Sequence, residues 1–281
     1  MLDVFASHEV CRPMLLALVL ALSAFETSKA APHIPVQRVV SVAPTLTEIV
    51  CALDACTRLV GVTRFDDYPP EVKSIAKIGG FVDPSLEAIA KLKPDVVLLT
   101  KNGANKPFVA SLDRLGIAWI AFSDETLDDF QPITNEIARL LGKSAGDVNA
   151  RSARALEALQ TLPKINKRAL MVYGHAPLIV AGPGSFGAQM LERVGLQNAY
   201  LGSARYPTLD FETLARMKPD VIIDVDMDGG GKSSTQYWDP VRPSLGAVFL
   251  FAPDPALMRL GPRLPSSMQA LRSKLDTALR K

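Results

Sequence analysis

The residues able to do chemistry in this chain are few and scattered. Beyond residue 31 it holds two histidines, His33 and His175, and two cysteines, Cys51 and Cys56. Nucleophilic catalysis needs a serine or cysteine beside a histidine base. Ser185 has only His175 to call on, and the sequence contains no G-x-S-x-G elbow and no H-E-x-x-H helix. A zinc or manganese carrier would need several histidine and acidic ligands, so no metal site is expected. Phosphate chemistry fares little better. Gly182, Gly184 and Gly187 have the dinucleotide-loop spacing, but no acidic residue closes a second strand about 20 residues further on. Gly231, Lys232 and Ser233 end like a P-loop whose first glycine is Asp226. Asp224, Asp226, Asp228 and Gly229 start like a calcium loop, yet Thr235 stands where the closing acid belongs. These stretches read better as loops beside a cleft. The expected protein is a binder and no enzyme, with an α/β enzyme using the Gly182–Gly187 loop as the alternative from another class.

Composition supports that reading. The chain has 281 residues, 48% hydrophobic and 21% charged, with a net charge of +2. It has no clustered basic stripe for nucleic acid, and a monomer is expected. Arg12 and Pro13 precede an apolar run, Met14–Phe25, followed by Ser28 and Ala30 in small-residue positions. This predicts a signal peptide over 1–30, cut near Ala30 or Ala31, and export of the rest of the chain. The run is shorter than the roughly 20 residues of a spanning helix. Cys51 falls in a predicted helix and Cys56 just beyond it. In an exported protein they can bridge if the helix stops near Asp54; otherwise they are two small buried residues.

The elements that must position these residues alternate. Strand-like runs occur at Val39–Val42, Leu59–Thr63, Val96–Thr100, Ile117–Phe122, Ala169–Gly174, Leu178–Gly182, Val221–Asp226 and Ala247–Ala252, with helical patterns between many of them. Thr45 and Glu48 form a possible capping box. Alternation of this kind predicts an α/β fold with largely parallel sheets. One segment recurs: LEAIAKLKPDVV at Leu86–Val97 and FETLARMKPDVI at Phe211–Ile222 share six of twelve positions. In each, Asp83 or Asp210 can cap a helix, a glutamate sits in the first turn, and Lys-Pro ends the helix before a buried strand. Two copies so far apart predict two similar lobes. Between them, Leu127–Leu141 is amphipathic and ends at Gly142. The stretch from Ser144 to Leu162 follows as a helical strut. The expected divisions are a signal peptide (1–30), an N-terminal lobe (31–142), a backbone helix (143–165) and a C-terminal lobe (166–281).

The stretch from Arg38 to Leu99, with PLIVAGPGSFGAQMLERVGLQNAY, DFETLARMKPDVII and GPRLPSSMQAL, strongly resembles the periplasmic vitamin B12-binding proteins of ABC importers and their relatives for haem and ferric siderophores. The likeness covers nearly all of the chain after the signal peptide. It implies two Rossmann-like lobes joined by one backbone helix, with the ligand in the cleft between them and no cofactor. It implies a permease and its ATPase as partners. The Asp67-Tyr68-Pro69-Pro70 run looks most like the cobalamin branch. Two departures from that branch are Phe81, where a tryptophan is expected, and Lys101-Asn102-Gly103, where a second aromatic is expected. The resemblance also implies that Glu87 and Glu212, at matching positions of the repeat, meet arginines on the permease. Candidate ligand contacts are Pro44, Thr45, Phe65, Tyr68, Phe81 and Asn102 from the first lobe, and His175, Ser185, Phe186, Tyr206, Trp238 and Arg259 from the second. Half of these aromatics are expected to prove core. Tyr68 is the favoured contact because its loop reads as exposed. Arg259 follows because the family places a ligand-contacting arginine nearby. A corrinoid is the expected ligand, with haem as the first alternative, held by Tyr68 or His175 as iron ligand, and a ferric siderophore as the next.

Overall fold

The computed structural model describes residues 25–27, 36–225, 231–252 and 254–280. The expected signal peptide therefore lies outside the described residues, except for three residues of backbone. Those three form strand β1 (Phe25–Thr27). The rest of the first sheet is β2 (Val39–Ser41), β3 (Leu59–Gly61), β4 (Val96–Thr100) and β5 (Trp119–Phe122), in the order β1-β5-β4-β2-β3. All its pairs are parallel except β1 against β5. Helices α1 (Pro44–Ala52), α2 (Leu86–Lys91) and α3 (Lys106–Arg114) make the crossovers.

Helices α4 (Phe130–Leu141) and α5 (Gly146–Gln160) lead to a second sheet. Its strands are β6 (Arg168–His175), β7 (Leu178–Val180), β8 (Gln197–Asn198), β9 (Thr208–Leu209), β10 (Val221–Asp224) and β11 (Val248–Phe251). The order is β11-β10-β6-β7-β9, with β8 parallel on β6. Its helices are α6 (Phe186–Arg193), α7 (Phe211–Met217), α8 (Gly231–Trp238), α9 (Arg242–Leu245) and α10 (Leu264–Ala278). Helix α8 occupies a stretch expected to be loop. The repeat is real in three dimensions. β4 lies between β2 and β5 as β10 lies between β6 and β11, all parallel.

The shared Lys-Pro-Asp has a physical role in both copies. Lys93 and Lys218 each take φ +47°, turning the chain out of the helix before proline. The aspartate that follows then fastens the neighbouring strand. Asp95 Oδ2 accepts from the backbone N–H groups of Gln37 and Arg38, both at 2.8 Å. Asp220 Oδ2 accepts from Arg168 N at 2.8 Å. Two capping expectations need correction. Helix α1 has Ala43 at its N-cap with no side-chain bond, and proline follows in its first turn. Glu48 is engaged elsewhere. Helix α2 is capped by Ser85, whose Oγ accepts from Ala88 N, while Asp83 pairs with Arg64. Asp210 caps α7 as expected.

One hydrophobic core runs through both halves, from Val39 and Leu46 through Ile137 and Leu159 to Met171, Ile223 and Leu271. Separate clusters fill the outer faces of the two sheets. Helix α5 packs on α4, α6 and α10, so it sits at the seam. Cys51 and Cys56 are bridged, their Cα atoms 4.1 Å apart. The bridge closes the loop just past the end of α1.

Candidate functional site

In open parallel sheets, ligands gather at the carboxyl ends of the strands, where loops converge. That is where this chain opens a cleft of about 530 Å³. From the first lobe come Thr45 on α1, Asn102 after β4, and Asp124 and Glu125 after β5. From the second come Tyr173 on β6, Ile179 on β7, Phe186 at the start of α6, and Arg205 and Tyr206 from the loop before β9. Met258 and Leu260, after β11, close it. The volume falls within the range of small-molecule sites.

The second-lobe wall is built by close backbone approach. Gly182 N donates to Arg205 O at 2.7 Å, and a Cβ on Gly182 would strike the Ala204 carbonyl. A Cβ on Gly187 would likewise strike the Tyr173 hydroxyl. These two glycines thus press the 204–206 loop and Tyr173 against the head of α6. Tyr173 meets Tyr206 edge-on, centroids 5.9 Å apart. Burial raises both phenols above their ordinary range.

The first-lobe wall carries charge. Asp129 Oδ2 gathers the N–H groups of Glu125 and Thr126 and the hydroxyls of Ser123 and Thr126, which fixes the turn after β5. Glu125 forms an ion pair across the cleft with Arg205. Asp124 is half-buried. Burial, reinforced by the nearby charges of Asp129 and Glu125, lifts its carboxyl to about 6. A second tie crosses the lobes on another side. Glu48, whose side chain is 2% exposed, accepts from Arg259 at 3.2 Å and from Arg263 at 2.6 and 2.9 Å. Arg259 also bonds Asp67 at 2.6 Å and the Phe65 carbonyl at 3.1 Å. Arg263 stacks over the Tyr68 ring at 3.9 Å.

The structure sorts the predicted contacts into groups. Thr45, Asn102, Phe186 and Tyr206 come together in the cleft, with Pro44 beside Thr45 at the head of α1. Phe81 is half-buried, its ring against Gly103 next to Asn102. Phe65, Tyr68 and Arg259 gather in the Glu48 cluster. Tyr68 and Arg259 were expected to face each other across a ligand, but here the Arg259 guanidinium is held by protein groups. Tyr68 lines a separate hollow of about 390 Å³ with Glu48, Cys51 and Arg263.

Three candidates require correction. Ser185 is fully buried, and its Oγ caps α6 by accepting from Ala188 N at 3.1 Å. Trp238 is fully buried and donates to Asp224 Oδ2 at 2.6 Å. His175 bonds the same oxygen at 2.7 Å and stacks on Tyr237, inside an aromatic cluster with Trp238 and Phe211. All three are held by packing and hydrogen bonds within the second lobe.

Sequence reasoning missed Asp124, Glu125, Tyr173, Ile179, Arg205, Met258 and Leu260. Tyr173 and Ile179 lie in strands and read as core. Asp124 and Glu125 had a usable signal: they directly follow the last strand of a parallel sheet. Among the described residues no group of three His, Cys, Asp or Glu is placed to hold a metal ion, and no helix is long and apolar enough to cross a membrane. Another hollow, of about 460 Å³, lies along α4 and α5, away from the strand ends. Glu87 and Glu212 each occupy the second position of their helix, with side chains 79% and 78% exposed.

The profile of the periplasmic binding protein family matches residues 39–237. A vitamin B12-binding protein of Pectobacterium carotovorum subsp. carotovorum (strain PC1) is 26% identical over 250 residues, covering 86% of this chain and 89% of that one. Among solved structures, the apo periplasmic haem-binding protein RhuT from Roseiflexus sp. RS-1 superposes with a TM-score of 0.73 at 25% identity, over 86% of this chain and 98% of that one. The periplasmic vitamin B12-binding protein BtuF of Vibrio cholerae superposes with a TM-score of 0.70 at 22% identity, over 88% and 99%.

Proposed function

This chain belongs to the periplasmic binding protein family, and on that footing we propose that it captures a cobalamin or related corrinoid and delivers it to an ABC importer. The observation that carries the proposal is the cleft itself. Tyr206, Tyr173, Phe186 and Ile179 of one lobe face Thr45, Asn102 and Asp124 of the other, with Met258 and Leu260 between them. Broad apolar walls with a few polar groups suit a large flat macrocycle, whose burial is worth roughly 25 cal/mol per Å². The named activity of the Pectobacterium relative supports a corrinoid. Haem is the second reading, supported by the named ligand of the Roseiflexus neighbour.

Delivery would place Glu87 and Glu212 against arginines of the permease, whose ATPase drives import. Each glutamate now holds only an exposed partner one turn on, Lys91 or Arg216, at 2.6 Å. Such surface pairs are weak and easily exchanged. Export would remove the segment up to Ala30 or Ala31, leaving a monomer in the periplasm.

Titration calorimetry of the processed protein with cyanocobalamin, cobinamide and haemin in parallel tests the ligand. One corrinoid per chain at micromolar affinity or better is expected, weakened about tenfold or more by Tyr206→Ala, since a buried aromatic contact carries that much. Binding of haemin alone would overturn the corrinoid reading.

A further inference from the structure

The polar groups around the cleft differ in how far their own fold has satisfied them. Asp129 Oδ2 accepts from two backbone N–H groups and two hydroxyls. Glu125 and Arg205 neutralise each other across the gap. The Tyr173 hydroxyl is packed under Gly187 and buried without a hydrogen-bond partner, but it is an uncharged group. Of the two carboxylates lining the cleft, Glu125 is paired, whereas Asp124 has no hydrogen bond or ion pair with another side chain among the described residues. It is half-buried in the wall that faces Tyr206, so a ligand seated there would cover it further.

A carboxylate placed this way discriminates by charge. Covering it beneath a ligand that offers no hydrogen leaves a desolvated, unpaired acceptor, one of the costliest errors in binding. A ligand bearing its own carboxylates adds like-charge repulsion. A ligand rimmed with carboxamides supplies N–H donors, and a cationic ligand supplies the opposite charge. We propose that Asp124 sets the charge class of the ligand: it accepts a hydrogen bond from a carboxamide, or meets a cationic centre, and disfavours ligands that carry carboxylates. This rests on the reading of the cleft as the ligand site and deepens it, because corrinoids are rimmed with carboxamides whereas haemin carries two propionates. The shift of Asp124 toward neutrality, caused first by burial, agrees with a carboxylate whose one hydrogen bond is to its own backbone N–H and that no other side chain yet satisfies.

The test is calorimetry at pH 7.5 and low salt on the parent protein, Asp124→Asn and Asp124→Glu, each with cyanocobalamin and haemin. Circular dichroism confirms that all three are folded. Asp124→Asn is expected to weaken cyanocobalamin about tenfold, as loss of a charge-assisted hydrogen bond does, and to tighten haemin. Asp124→Glu, which keeps the charge, should hold the corrinoid-to-haemin ratio near the parent's. An unchanged ratio in the Asn variant overturns the role of Asp124, even if corrinoid binding itself stands. If the parent binds haemin only, the corrinoid reading fails, yet tighter haemin binding by the Asn variant would still support charge selection. Binding of neither probe by any of the three overturns both.

Discussion

At the scale of single residues, Asp124 links stability to the cleft. Its carboxyl sits at about 6 in the fold, against 3.8 for the ordinary group. A folded value above the unfolded one means that the protonated form is favoured, so its contribution is complete below the unfolded value and is lost as pH rises through about 6. Asp129, Glu125, Arg205 and Tyr206 are the titratable and charged groups that face it. Asp124→Asn removes the buried charge. In the ligand-free protein it is expected to exceed the parent in stability by about 1–2 kcal/mol at pH 7.5, with the gap narrowed to about a third at pH 4.5. Urea titrations at the two pH values measure this, and a gap that does not change with pH would refute it. A binding residue that costs stability is a common compromise. Legibility at this scale was uneven. Thr45, Asn102, Phe186 and Tyr206 could be found from residue type and loop position. Arg205 and Met258 could not, because nothing local marks a loop residue that reaches across to another lobe.

At the scale of elements, α1 is the piece most exposed to a single change. Glu48 is buried in it and holds Arg259 and Arg263 from a segment more than two hundred residues later. Removing one partner of a buried ionic cluster leaves uncompensated charge at a cost of about 3–5 kcal/mol. Glu48→Ala should lower the unfolding free energy by that much at pH 7, and a loss below about 1 kcal/mol would show that the guanidiniums find other partners. The sequence suggested a local use for Glu48, in a capping box, because spacing within a helix is visible and a partner from the other end of the chain is not. The strands were more readable. The central runs Val96–Thr100 and Val221–Asp224 were apparent because a parallel strand covered on both faces is continuously apolar. The two-residue strands β8 and β9 escaped, being too short to show any period. The Lys-Pro-Asp repeat was visible as a pattern, but the bonds from Asp95 and Asp220 to neighbouring strands needed the fold.

For the whole molecule, the internal repeat puts Glu87 and Glu212 on equivalent helices of the two lobes. Under the proposed function these glutamates dock the loaded protein on its permease. Replacing both with Arg should abolish corrinoid uptake by cells carrying the importer and leave the affinity measured by calorimetry within about twofold, since exposed pairs contribute little to the fold. Normal uptake by the double variant would reduce the two residues to helix-dipole partners. The continuous core, the two ionic ties and α5 at the seam together predict small relative motion of the lobes. Ligand entry then depends on loop rearrangement around Arg205 and Tyr206 more than on a wide hinge.

The seam also sets an order in time. Its closing parts, Arg259, Arg263 and α10, are synthesised well after α1 and α5, which they join. Under the proposed function the chain is threaded through a membrane N-terminus first, so the first lobe can collapse early, but the cleft is finished only when the segment from Met258 to Arg263 has crossed. Until then Met258 and Leu260 are missing from its wall and Glu48 has no partner. Such distant pairings form late in any case, because a long loop must close before they are rewarded. Under the proposed function, the cleft is therefore expected to become competent for ligand only after export.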